Sequence, residues 1–376
     1  MSVYLDCNAT TPIEPAVRDI VLRYLTEEFG NSGSRTHEFG IKAKQAVELA
    51  RRQIAAVVGA QVDEVVFTSG ATESNNLAIL GLAAHGEATG KRHVITASIE
   101  HKAVLEPCDE LERRGFDVTR LPVCAGGYVE PDAVAAALRP TTALVSIMHA
   151  NNETGVIQPI SAIAQALATH HAWLHVDAAQ TYGKELEALR DPRVQLISVS
   201  GHKLFAPKGI GALIARRRGF VRPPLQPLVF GGGQERGLRA GTLPVDLIAG
   251  FGLAAELAVL QHGERRARIV TLRSKILGAL TKCGATLNGD PERCLPHVVN
   301  LGFDGLDSEA VMLAWKGTVA VSNGSACTSH AYTPSHVLEA MGLGPARIAQ
   351  ALRLSWSHLT PEPDLAAMVA AITTLR

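Results

Sequence analysis

The stretch Ser198-Val199-Ser200-Gly201-His202-Lys203 sets a lysine between two apolar runs, residues 196–199 before it and 209–214 after it. Short apolar runs bounded by glycine read as buried strands. Lysine is almost never buried without a partner. Lys203 is therefore either a solvated turn residue or an amine kept for chemistry, and the rest of the chain has to decide between them.

Further out, the same pattern repeats. Trp173-Leu174-His175-Val176-Asp177 reads as a strand that ends in an aspartate and is followed by Ala178-Ala179-Gln180. The apolar run over 142–148 leads into Asn151-Asn152-Glu153-Thr154-Gly155. His93-Val94-Ile95-Thr96-Ala97 delivers Glu100-His101-Lys102, and Val65-Val66-Phe67-Thr68 runs into Ser69-Gly70-Ala71-Thr72-Glu73-Ser74-Asn75-Asn76. Helical patterns alternate with these strands. One starts at Pro15 with Val17, Ile20, Val21 and Tyr24, and a long amphipathic one covers 40–58 and closes at Gly59. Strands alternating with helices predict an α/β fold with a mostly parallel sheet. Ligands of such sheets bind outside the carboxyl ends of the strands, where every polar residue just named falls.

The residue types at those ends suggest one site. A small-residue turn between a strand and a helix N-terminus is a phosphate site, because its free amides and the helix dipole face the anion. Ala71 and Thr72 stand where those groups would be. Plain capping by Ser69 or Thr72 explains the hydroxyls but not the glycine-alanine pair. An aspartate closing an apolar strand is costly unless paired. For Asp177 the partner is either a protonated ring nitrogen or a helix end. One helical crossover from Asp177 to Lys203 would let both face a single ligand from neighbouring strands. His101 suits stacking on a flat ring and proton transfer, although a loop histidine needs neither.

Composition limits the remaining choices. A chain of 376 residues with 47% hydrophobic side chains builds a sizeable core in two or three domains rather than staying disordered. Thirty-six basic residues balance thirty-six acidic ones, so no overall field draws the chain to nucleic acid or an anionic membrane. The first residues lack a basic region followed by an apolar run, and no run of eighteen apolar residues occurs, so neither a signal peptide nor a membrane helix is expected. Cysteines at 7, 108, 124, 283, 294 and 327 lack the paired spacing of a zinc site or a disulfide framework. Cys294 and His297 lie three apart without a second pair, and no metal is expected. Reduced thiols in a cytoplasmic chain are the expectation.

Residues 244–282 read as long and helical, joining a large domain to a smaller C-terminal one. Ser322-Asn323-Gly324-Ser325-Ala326-Cys327-Thr328-Ser329-His330 is small and polar, hence a loop. Cysteine is among the most buried residue types, so Cys327 in such a loop points to a thiolate nucleophile.

Asp177-Ala178-Ala179-Gln180 with Ser200-Gly201-His202-Lys203 resembles the pyridoxal-phosphate enzymes of the class V aminotransferase family. The stretches 69–76 and His149-Ala150-Asn151-Asn152-Glu153-Thr154-Gly155, with the Ser-Ala-Cys-Thr loop around Cys327, narrow the resemblance to the cysteine desulfurases with a long, reaching loop. It extends from Tyr4-Leu5-Asp6 and Asn8-Ala9-Thr10-Thr11 to Arg353-Leu354-Ser355. The resemblance implies transferase fold type I, with a mostly parallel seven-stranded sheet in a large domain over 13–258. A smaller α+β domain would comprise 1–12 and 259–376. It also implies a homodimer with active sites near the subunit interface.

Carried over by position, Ala71, Thr72, Ser200 and His202 would bind the phosphate of pyridoxal 5′-phosphate. Thr242 would reach the phosphate in the partner subunit. His101 would stack on the ring and move protons, Asp177 would pair the ring nitrogen, and Gln180 and Asn152 would contact the ring oxygen. Lys203 would hold the cofactor as a Schiff base and shuttle the α-proton. Asn152 and Arg353 would bind the substrate, Arg353 through a fork that lysine cannot copy. Cys327 would take the sulfur of L-cysteine, leaving L-alanine and a persulfide for a sulfur-acceptor protein. Iron–sulfur assembly, tRNA thiolation and DNA phosphorothioation are the destinations the resemblance offers; overall likeness and compact length favour the last. Selenocysteine lyase and another class V aminotransferase are the neighbouring activities. Two departures from the family pattern stand out. Ser32-Gly33 follows Asn31 where relatives have Pro-Ala or Pro-Ser, leaving the stiffness of that loop open. Ser355-Trp356-Ser357-His358 replaces Ser-Leu-Gly-Arg, and the tryptophan could reshape a wall near Arg353.

Overall fold

The computed structural model describes residues 2–323 and 334–376. Cys327 lies outside the described residues. In chain order the described strands are β1 (Val3–Tyr4), β2 (Val65–Thr68), β3 (His93–Ala97), β4 (Asp117–Leu121), β5 (Thr142–Ser146), β6 (Trp173–Asp177), β7 (Leu196–Ser200), β8 (Gly211–Ala215), β9 (Ala285–Leu287), β10 (Val298–Phe303), β11 (Val319–Ala320) and β12 (Leu352–Ser355).

Seven of them form one sheet in the order β2-β8-β7-β6-β5-β3-β4. β8 runs antiparallel to β2 and β7, and the other neighbours are parallel. The predicted α/β class and mostly parallel sheet are therefore observed. Both faces are covered, which is why the strands read as continuous apolar runs. Successive side chains alternate between two cores. Val65, Phe67, Leu174, Val176, Ile197 and Val199 pack on one face, and Val66, Trp173, Leu196 and Leu213 on the other. The first face is closed by helix α2 (Glu38–Val58), which follows α1 (Pro15–Thr26), and by the helix Val245–Leu260. On the second lie α3 (Ala71–Leu80), α4 (Ala83–Thr89) and α5 (Lys102–Arg113). α2 ends at Gly59, whose φ of 69° is the left-handed cap that glycine adopts freely.

Three details differ from the sequence reading. Strand β4 had no apolar signature; it is an edge strand, and polar side chains on an edge discourage further pairing. The crossover from β6 to β7 contains turns and a single 3-10 turn at Ala188–Arg190 instead of an α-helix. The long helix expected over 244–282 is a pair bent by 76°. Its first member buries Ile248, Phe251 and Ala255 against the sheet, and the second, His262–Leu280, buries Leu272, Ile276 and Leu280 in a separate core. No single described helix is long and apolar enough to cross a membrane.

That separate core is built around two smaller sheets. β10 pairs antiparallel with β9 and β12, and β1 lies parallel to β11. Leu5, Phe303, Trp315, Leu354 and Trp356 fill the space between these strands and the helices. Trp356 thus faces this core, with its Nε1 donating to the Ile269 carbonyl at 3.1 Å, and forms no wall beside Arg353. Strand alternation explains the difference: Arg353 points to one side of β12, and Leu354 and Trp356 pack into the small core on the other. Near Asn31, the side chain supplies its own turn by accepting the Gly33 amide at 2.8 Å.

Candidate active site

The carboxyl ends of β2, β3, β5, β6 and β7 surround a cavity of about 520 Å³. Among the described residues, every predicted site residue except Thr242 lines it. The N-terminal segment closes one side and contributes Asn8 and Ala9.

At one end sits the turn from β2 into α3. α3 begins at Ala71, so the amides of its first turn have no helical acceptor and face the cavity. Glu73 folds back to accept the Ser69 amide at 2.7 Å and is gripped by Arg239 Nε at 2.9 Å. Burial opposes ionisation of Glu73, but these two partners prevail and hold its carboxyl below the ordinary value. Gly70 has a φ of 154°, and a Cβ built on Gly211 would come within 2.6 Å of the Gly70 Cα. β8 therefore needs glycine there for the turn to lie close against the sheet. Ser200 and His202 complete this end. Burial, reinforced by the cations Lys203, Lys208 and Lys184, pushes the His202 pKa down to about 4. His202 is thus a neutral partner, its Nδ1 3.1 Å from Thr10 Oγ1, and Lys208 at the cavity edge is the cation of this end.

At the other end Asp177 closes β6, buried to 7% exposure. Its Oδ2 accepts from Asn75 Nδ2 at 2.7 Å and its Oδ1 accepts the Ala179 amide at 2.9 Å. These two donors define one orientation for a carboxylate that faces the cavity. His101 caps α5: its Nδ1 accepts the Ala103 amide at 3.1 Å, so the neutral ring carries its proton on Nε2. Desolvation lowers the His101 pKa; Asp177 opposes that shift, and Lys203 and His336 add to it. Beneath lies Glu100, fully buried, with Oε1 accepting the Met148 amide at 2.7 Å. Burial raises its carboxyl well above the usual range, and Asp177 pushes in the same direction.

Between the two ends stands Lys203, on a 3-10 turn Gly201–Lys203 that follows β7. Its Nζ donates to the carbonyls of Asn8 and of Ala9, the latter at 2.8 Å. The Asn8 carbonyl also receives Gln180 Nε2 at 3.1 Å. Gln180 Oε1 and Asn75 Oδ1 are buried polar atoms on this cavity with no hydrogen-bond partner. Opposite, Arg353 on β12 is 1% exposed, and its Nη1 donates to the Asn152 carbonyl at 3.1 Å.

Thr242 lies on an exposed stretch outside the cavity. Of the five described cysteines none lines the cavity. Burial raises the pKa of Cys7, of Cys108 to about 12, and of Cys294 to about 11, so these three remain thiols at neutral pH. Among the described residues no cluster of three or more His, Cys, Asp or Glu side chains could hold a metal. Sequence reasoning missed Asn75, Lys208 and Glu100 and gave Asn8 no role. The available signal was polarity on a buried helical face, where Ser74 and Asn75 precede Leu77 and Ala78.

Residues 3–368 match the class-V aminotransferase family. The chain belongs to that family. It is 45% identical over 368 residues to the cysteine desulfurase IscS of Serratia proteamaculans, covering 97% of this chain and 90% of the relative. The crystal structure of DndA from Streptomyces lividans superposes with a TM-score of 0.83 at 49% identity, covering 93% of this chain and 98% of the other. The structure of SspA in complex with cysteine gives a TM-score of 0.84 at 38% identity, with coverages of 94% and 98%.

Pyridoxal 5′-phosphate is the cofactor of this class-V aminotransferase chain, and the cavity passes the tests it sets. An anion cradle lies at one end and a buried carboxylate at the other, with an amine between them. The unpartnered Gln180 and Asn75 oxygens call for a polar ligand in the space.

Proposed function

We propose that the chain is a cysteine desulfurase in which Lys203 holds pyridoxal phosphate and Cys327 accepts the sulfur. The observation that carries the reading is the alignment of cradle, amine and carboxylate along one cavity, with the buried guanidinium of Arg353 facing it. When bound, the cofactor supplies a cationic ring that takes up the electron pair left on the substrate's α-carbon. Asp177, fixed by Asn75 and the Ala179 amide, keeps the ring nitrogen protonated. Ala71, Thr72, Ser200 and His202 receive the phosphate, with Lys208 balancing its charge. Gln180 and Asn152 contact the ring oxygen. The Lys203 amine removes the α-proton of L-cysteine, and the Asn8 and Ala9 carbonyls hold that amine whenever it is not bonded to the cofactor. His101 stacks on the ring and passes protons through Nε2. Arg353 and Asn152 bind the substrate carboxylate. The Cβ–S bond breaks with its electron pair left on Cβ, the sulfur bonds to the Cys327 thiolate, and protons go to Cβ and back to Cα, giving L-alanine and a Cys327 persulfide.

Thr242 fits this reading as a residue given to a second copy of the chain. It follows a stretch with Phe220, Val221, Val229 and Phe230 exposed, and Phe230 at 83% exposure is an unusual side chain to leave in water. Burial of that surface in a homodimer would bring Thr242 to the partner's phosphate. We further read residues 13–258 as the large domain and 1–12 with 259–376 as the small one. The unpaired state of the five described cysteines is in keeping with a cytoplasmic enzyme.

The test is the Cys327→Ser protein. It should keep the absorbance of the bound cofactor and still bind L-cysteine, yet form neither persulfide nor alanine at the normal rate. Normal turnover with a thiol reductant would remove Cys327 from the reaction. A pull-down with both proteins as bait then seeks the sulfur acceptor, which should prefer the persulfide-bearing form.

A further inference from the structure

The guanidinium of Arg353 is almost fully buried, and an Arg side chain has five N–H donors to satisfy. Nη2 donates to Asp6 Oδ1 at 2.6 Å and Nη1 to the Asn152 carbonyl at 3.1 Å. Nε is buried and has no partner. An unmet donor beside a cavity is costly until a ligand supplies an acceptor.

Asp6 is itself held tightly. The segment that carries it lies alongside β12, with a bridge from Asp6 to Ser355. The Cys7 amide donates to the Ser355 carbonyl at 3.0 Å, the Ser355 amide to the Leu5 carbonyl at 2.8 Å, and the Asn8 amide to Ser355 Oγ at 2.8 Å. Tyr4 donates its hydroxyl to the Asp6 carbonyl at 2.9 Å. Asp6 and Arg353 therefore stand on adjacent, mutually bonded segments, and their ion pair has little freedom to adopt other geometries.

We propose that Asp6 is a positioning residue for the substrate: its carboxylate sets the plane of the Arg353 guanidinium so that the remaining N–H groups meet the α-carboxylate of the amino acid. The inference rests on the reading of Arg353 as the carboxylate clamp. An arginine loses much side-chain entropy when fixed, and here Asp6 and the Asn152 carbonyl have fixed it before the ligand arrives. Preorganisation of this kind lowers the cost of binding. Asp6 also neutralises a buried cation while the substrate is absent, as a buried charge requires.

The experiment compares L-cysteine with cysteamine, which keeps the amine and thiol but lacks the carboxylate. Binding to the cofactor-loaded protein is followed by the change in cofactor absorbance, and KM and kcat are measured for L-cysteine. Asp6→Ala should raise KM by about 10- to 100-fold, the value of a charged hydrogen bond, with kcat changed far less and cysteamine binding unchanged. Asp6→Asn keeps an acceptor in place and should show a smaller rise; it also serves if Asp6→Ala does not fold. An Arg353→Ala control separates the two levels. If Arg353→Ala leaves cysteine binding intact, the clamp reading itself fails. If Arg353→Ala weakens it but both Asp6 variants bind cysteine normally, only the role of Asp6 is overturned. An equal loss for cysteine and cysteamine in the Asp6 variants also overturns it, since that marks a general structural role.

Discussion

Asn75 Nδ2 donates to Asp177 Oδ2 at 2.7 Å, both side chains being buried. Asn75 lies one turn into α3, the helix whose N-terminus forms the anion cradle, and Asp177 closes β6 at the far end of the cavity. One helix therefore sets both the place for a phosphate and the direction of the carboxylate that meets the ring. The spacing between the two ends is built into a single rigid element.

Asn75→Ala should lower stability by about 1–3 kcal/mol, because it leaves a buried carboxylate oxygen without its donor. The unfolding transition of the cofactor-free protein reads this directly. Asn75→Asp should act differently, since it sets two carboxylates face to face and they cannot both ionise. One should then retain its proton near neutral pH, and the pH titration of the bound cofactor's absorbance should shift. An unchanged titration would show that Asn75 does not act through Asp177.

Gly211→Ala tests the packing of the cradle. The new methyl would collide with the Val199 carbonyl oxygen and lie 2.6 Å from the Gly70 Cα. Both obstacles are backbone, so the turn itself has to move. We expect a loss of about 1–3 kcal/mol from overpacking and weaker retention of pyridoxal phosphate on dialysis. Loss of stability with normal retention would place the strain in β8 alone.

Much of this architecture was legible because burial on both faces leaves long apolar runs. Strands β3 and β6 were read with their observed limits, as was the polar residue that each delivers. Edge strand β4 was invisible because Asp117 is exposed and Val118, Thr119 and Arg120 are only partly buried, so no continuous apolar run marks it. The break at Gln261 was missed because helical patterns continue on both sides of it; only the presence of two cores requires the chain to turn there. In the site, residues lying next to a strand end could be found, since chain direction places them. The Asn8 carbonyl could not, because it meets Lys203 Nζ only through tertiary approach of segments far apart in sequence. Asp6 escaped for the same reason.

Lys203→Ala removes the amine that joins Asn8 and Ala9 to β7. The variant should still take up pyridoxal phosphate through the cradle and Asp177, but reversibly. Borohydride treatment followed by peptide mass analysis should fix the cofactor on the wild-type peptide containing Lys203 and on none from the variant. Fixation of cofactor on another lysine in the wild type, Lys208 or Lys184 included, would end the assignment.

His175 offers a measurement that does not depend on the cofactor. It lies in the middle of the sheet with no exposure, bridging Ser146 Oγ at 2.7 Å and Ser198 Oγ at 2.9 Å. Burial pushes its pKa down to about 3, and it pushes that of His149 down to about 4. The unfolded chain accepts a proton at each of these positions below about 6.5, whereas the folded chain refuses it. Their contribution to stability is therefore fully present above that pH and is lost as the pH falls toward 4 and then 3. Each histidine contributes a slope of about 1.4 kcal/mol per pH unit. His175→Gln should be less stable than the parent at pH 7.5, through loss of one or both serine contacts, by about 1–3 kcal/mol. Between pH 6.5 and 5, however, its denaturant midpoint should fall less steeply, by the equivalent of one proton, so that the two stability curves converge in acid. Parallel curves across that window would mean that His175 takes up its proton in the folded sheet, and the serine–histidine–serine bridge would then need to be charged.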